Sequence, residues 1–117
     1  MSAAEGIRVL EERVAAAPAA VGRTLAAPAP ALPRAWARLP VVATGLGGSQ
    51  AAARLLAARL RECPGRAACF RPMNAFYSRE PANETGVLVV FSQGLSPNAR
   101  IALAHADAFD GLVLVTS

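Results

Sequence analysis

Lysine is missing altogether from the 117 residues, histidine, tryptophan and tyrosine occur once each, and cysteine twice. Without lysine there is no Walker-type phosphate loop, whose chemistry needs that ammonium group. One histidine with Cys63 and Cys69 is too small a donor set for a zinc site, so no metal is expected. Two cysteines are also too few for a disulfide scaffold. Both thiols are expected to stay reduced and to serve as small core residues. No basic segment leads into an apolar one at the amino end, so nothing there reads as a signal peptide. No apolar run reaches the roughly 18 residues of a spanning helix; a long uncharged stretch, Leu39 to Ala53, is broken by three glycines. The expectation is a soluble, cytoplasmic chain with no membrane partner.

What is abundant is alanine, 28 residues of it, within a hydrophobic fraction of 54%. That fraction, with only 17% charged residues, excludes a wholly disordered chain. The length allows one domain, and alanine contributes little area per residue, so the core is expected to be thin. All 12 basic residues are arginines, and the net charge is +4. They are scattered from Arg8 to Arg100 with no run of three, and no nucleic-acid motif accompanies them. No nucleic-acid partner is expected.

Ile7, Leu10, Val14, Val21 and Leu25 recur at helical spacing, and Pro18 interrupts them, which predicts two short helices meeting near Ala17. From Ala26 to Pro40 the chain is a Pro- and Ala-rich connector with a turn of helix around Trp36. Residues 1–40 thus form a helical segment and connector, and 41–117 an α/β region. Val41 to Thr44 is a short strand ending in Gly45-Leu46-Gly47-Gly48-Ser49. A helix from Gln50 to Glu62 follows, stopped by Pro64-Gly65. Arg66 to Arg71 reads as a strand, and Pro72 to Glu84 as irregular or partly helical. Val87 to Phe91 is a continuous apolar run, as in a strand covered on both faces. Then come Ser92-Gln93-Gly94-Leu95-Ser96-Pro97-Asn98, a helix to about Phe109, and a last strand, Leu112 to Val115. This alternation predicts an α/β fold with a parallel sheet.

Both glycine-containing loops follow a strand and open a helix. Gly45, Gly47 and Gly48 permit a tight turn and close approach of a ligand to bare backbone. Ser49 stands where a helix N-cap is expected, beside unpaired N–H groups that favour anions. In the second loop Ser96 reads as the cap and Pro97 as the first helical residue. Ser92 and Gln93 offer a hydroxyl and an amide to the same crevice. Two adjacent parallel strands would deliver both loops to one sheet edge, where open α/β sheets bind ligands. The donor set suits a phosphorylated or polyhydroxylated small molecule. A dinucleotide is the lesser reading, because the third glycine of that fingerprint and its downstream acid are both missing.

In these two stretches, Ala43 to Ser49 and Val89 to Asn98, the chain resembles the first part of a SIS (sugar isomerase) domain. Ser96-Pro97-Asn98 is similar to phosphoheptose isomerases. Ser92-Gln93 is similar to the isomerase half of glucosamine-6-phosphate synthases. The resemblance implies a Rossmann-like three-layer αβα domain, incomplete within this chain and preceded by N-terminal helices. It also implies a phosphosugar or other carbohydrate derivative as ligand, no cofactor, and a homodimer. Its site residues would be Gly45, Gly47, Gly48, Ser49, Gln50, Ser92, Gln93, Gly94 and Ser96. The family loop commonly runs Ser-x-Ser-Gly-x-Ser/Thr, and alignment on Gly94 and Ser96 puts Phe91 and Gln93 on the serine positions.

Isomerisation of a sugar needs a general base near the carbons that exchange hydrogen, and the family takes it from later segments. His105 is expected mid-helix, away from the crevice. Glu80 and Glu84 are expected in solvent, Glu11 and Glu12 on the exposed face of the first helix, and Arg79 either on an anion or paired beside Glu80. Catalytic residues are therefore unassigned. A sugar-phosphate isomerase and a non-catalytic sensor or interaction domain of a regulator both remain open.

Overall fold

The computed structural model describes residues 2–78 and 83–116, so Arg79 and Glu80 lie outside the described residues. Two compact units divide the chain, residues 1–31 and 32–117. The first is one helix, α1 (Ala3–Ala26), with Pro18 inside it, where two helices were expected. Proline removes one helical bond at a cost of about 3 kcal/mol. The alanines on either side of it are the best helix formers, and they keep the run continuous. A capping box starts α1: Ser2 Oγ accepts from Glu5 N–H at 3.2 Å, and Glu5 Oε2 accepts from Ser2 N–H at 2.7 Å. The backbone N–H of Ser2, and then its hydroxyl, hold the Glu5 carboxyl below the usual carboxylate range.

The second unit is an α/β fold on a four-stranded sheet, β1 (Val41–Gly45), β2 (Ala68–Phe70), β3 (Val87–Ser92) and β4 (Gly111–Thr116). The strands lie in the order β2-β1-β3-β4, and every neighbouring pair is parallel. The pleat sorts the apolar runs onto two faces. Val41, Ala43, Val87 and Val89 face α2 (Gly48–Arg61), and pack with Ala53, Leu56 and Leu60. Val42, Leu88 and Val90 face the other way, toward α3 (Pro97–Leu103) and a 3-10 turn at Met73–Phe76, where Met73, Phe76, Ala99, Ala102 and Phe109 close the core. Trp36 and Leu39 pack against the sheet, which places the break between the units at residue 31 rather than residue 40.

Four expectations are corrected here. The β2 strand spans three residues, not the six from Arg66 to Arg71. The α3 helix ends at Leu103, and a 3-10 turn at Ala106–Ala108 follows. His105 stands between the two, with its ring buried, and is not mid-helix. Its Nε2 lies 3.0 Å from the Phe76 carbonyl oxygen; a carbonyl can only accept, so that nitrogen carries the proton. Cys63 and Cys69 are both exposed rather than in the core. Ala68 and Phe70 turn toward α2, which leaves Cys69 on the outer face of an edge strand.

The fourth correction concerns Glu84, which is not free in solvent. Its carboxylate accepts two bonds of 2.8 Å from Arg71 Nη1 and Nη2, with the side chains only 27% and 14% exposed. The Arg71 guanidinium also lies 5.3 Å from the Phe76 ring and 5.8 Å from that of Phe109. The hydrogen bond to Glu84 raises the pKa of Arg71. This pair ties the segment after β2 to the segment before β3. Among the described residues no helix is long and apolar enough to cross a membrane.

Candidate functional site at the carboxyl edge of the sheet

β1 and β3 run side by side with Gly45 opposite Phe91, so the loops that leave them emerge together. The β1 chain goes on to β2 on one side, and the β3 chain to β4 on the other. The crevice at such a reversal is where open α/β sheets take their ligands. The first loop is short because Gly45 lets α2 start directly against the strand end. A Cβ there would stand 2.5 Å from the Ser49 carbonyl oxygen. Gly47 then takes a φ of 62°, a region that favours glycine, and acts as N-cap of α2 without a side-chain bond.

Ser49 is therefore the second helical residue and not the cap. Its hydroxyl is left without a capping task. The N–H groups of Gly48 and Ser49 lie in the first turn, where no carbonyl of the helix can accept them. In the second loop Ser96 is the cap of α3, accepting from Ala99 N–H at 3.3 Å, with Pro97 next to it. Buried Ser92 accepts from Ser96 N–H at 3.2 Å. Both oxygens hold the loop in shape as acceptors, while each hydroxyl hydrogen stays available to donate.

Two adjoining hollows open at this edge, of about 300 and 380 Å³. Gly48, Ser49, Phe91, Ser92 and Gln93 line both. Gly47 and Ser96 line the first hollow alone. Of the expected site residues, the structure thus brings together Gly47, Gly48, Ser49, Ser92, Gln93 and Ser96. Gly45 and Gly94 line neither hollow and act through the backbone, Gly45 by close approach and Gly94 with a φ of 71°. Gln50 is also outside; with its amide oxygen turned along α2 it accepts from Arg54 Nε at 3.1 Å and Nη2 at 3.2 Å.

The structure adds Leu46, Met73 and Asn98 to the first hollow, and Ala52, Val115 and Thr116 to the second. Asn98 Oδ1 accepts a hydrogen bond from Tyr77 O–H, which fixes the amide from outside. Asn98 stands directly after Ser96-Pro97, and its polar side chain at the helix start is the signal that could have found it. Met73 gives no such signal, because it arrives from the Met73–Phe76 turn, which precedes β3 in the chain. Among the described residues no titratable side chain lines either hollow. His105 and the Arg71–Glu84 pair belong to the packing beneath α3. The arrangement offers neutral donors, from hydroxyls, amides and backbone N–H groups, to an anionic or hydroxyl-rich guest. Comparison with protein-family models, curated proteins and solved structures finds no match for the chain.

Proposed function

We propose that the second unit is a SIS-type, Rossmann-like three-layer domain that binds a phosphosugar or another carbohydrate derivative in the paired hollows. The observation that carries this reading is the β1–β3 register, with Gly45 opposite Phe91, which sets the Gly47–Ser49 turn beside the Ser92–Ser96 loop. Two such loops give a phosphate the N–H groups of Gly48 and Ser49 and a sugar the hydroxyls and amide of Ser49, Ser92 and Gln93. The reading is one of binding. The lining of both hollows holds no general base, so the described residues supply recognition and not proton transfer.

Calorimetry against a panel of hexose and heptose phosphates tests it. Ser49→Ala is expected to weaken binding by about 1 kcal/mol, the scale of one lost hydrogen bond. Ser49→Asp is expected to weaken it at least about tenfold, because an anion then meets an anion. An acid in the first turn suits the positive helix end, so the Asp variant keeps its fold and isolates the binding effect. Equal affinity in parent and Asp variant would sink the proposal.

A further inference from the structure

A further concavity lies on the α2 face of the sheet, and its far end meets the second hollow at Phe91 and Val115. It is a groove of about 500 Å³. Its floor is Val87, Val89, Phe91, Val113 and Val115, from β3 and β4. Leu56 and Leu60 of α2 form one wall. Trp36 also lines it, with its ring pressed so closely on Gly111 that a Cβ there would overlap the indole. The α2 helix shields β1, β2 and the start of β3, where Val87 and Val89 are buried, and leaves the β4 part of the same face open. Val115 remains 44% exposed. Contiguous apolar surface of this kind marks a binding site when a polar rim accompanies it.

The rim here is cationic and one-sided. Arg34 and Arg66 line the groove, and among the described residues no acidic side chain does. Arg66 comes from the segment just before β2, and Arg34 from the turn just before β1, so both arginines stand at the amino end of the sheet. Among the described residues neither is in an ion pair. One Arg66 nitrogen, Nη1, donates to the Ala37 carbonyl oxygen and anchors the side chain. The Arg66 Nε is buried and has no partner among the described residues. The guanidinium N–H groups of Arg66 that face the groove can pair with a carboxylate that enters it.

We infer that this groove binds a medium-chain acyl carboxylate. The carboxylate sits at Arg66 and Arg34, and the chain lies along β3 and β4 toward Phe91 and Val115. Charge complementarity fixes the head at one end. The groove floor runs from Val87 to Phe91, four steps of strand or about 13 Å at 3.3 Å each, and takes an extended alkyl chain. An apolar guest without charge would leave Arg34 and Arg66 without an ion pair among the described residues.

Calorimetry of the full chain with decanoate, kept below its micelle concentration, tests this, with 1-decanol as the uncharged control. Decanoate is expected to bind one to one, and decanol more weakly. Arg66→Gln and Arg34→Gln are each expected to weaken decanoate by about five- to tenfold, and to leave decanol unchanged. Arg100→Gln, on the opposite face of the sheet, is the control and is expected to change nothing. A circular-dichroism melt checks that each variant is folded. Absence of saturable binding overturns the inference. So does decanoate affinity that survives both substitutions together, or self-association of the chain that excludes decanoate. Arg34 and Arg66 line neither carboxyl-edge hollow, so their substitution is not expected to change hexose-phosphate binding, and this result stands apart from that site.

Discussion

Gly45→Ala is expected to lower stability by about 3 kcal/mol, the upper range for forcing extra volume into a packed region. The added Cβ would stand 2.5 Å from the Ser49 carbonyl oxygen and 3.1 Å from the Gln50 nitrogen. Both are backbone atoms of the first turn of α2, so no side-chain rotation relieves the overlap. The helix must move off the end of β1. Such a shift carries Gly48 and Ser49 away from Gln93, so ligand binding falls with stability. Urea denaturation measures the first effect and calorimetry the second. A variant as stable as the parent would show that α2 is not seated on Gly45 as described. Gly48→Ala is the matching control, since a Cβ there meets open space.

Arg71→Ala is expected to cost a similar amount, about 3 kcal/mol, as for breaking a largely buried pair from one side. The substitution removes both Arg71 donors from the Glu84 carboxylate and takes the guanidinium away from the Phe76 and Phe109 rings. Glu84→Gln keeps one acceptor and is expected to cost less. The double variant is expected to cost less than the two single costs added, because the partners are in contact. Simple additivity would show that the pair contributes nothing of its own. Alkali does not expose this interaction. A cation with a raised folded pKa gives stability that is full below its unfolded pKa and lost only as pH rises through the folded one. For Arg71 that window lies above any working range.

The alternation of strands and helices was legible because glycine, serine and proline punctuate it. The parallel sheet followed from that alternation, and so did the meeting of two loops at one edge. The face of each β3 residue was not legible, since Val87 to Phe91 is apolar throughout and period two leaves no trace in a run buried on both sides. The cap of α2 was misplaced by two residues. Sequence favours serine as a cap, but the backbone at Gly47 turns with a positive φ, which glycine alone adopts easily. Arg71 and Glu84 are 13 positions apart across a segment without periodicity, so nothing local announced their pairing. Cys69 failed for a related reason: small apolar residues are usually buried, yet β2 is an edge strand, while Cys63 lies just past the end of α2.

The central claim is that one edge of the sheet, between the β1 and β3 loops, binds a sugar phosphate. Its most direct test is a nitrogen-15 NMR titration of the full chain with a hexose phosphate. The account predicts saturable shifts of the Gly48, Ser49, Ser92 and Gln93 amides, with Val87 and Val113 unmoved. Saturation with no shift at these four amides, or no saturable shift at all, would contradict it.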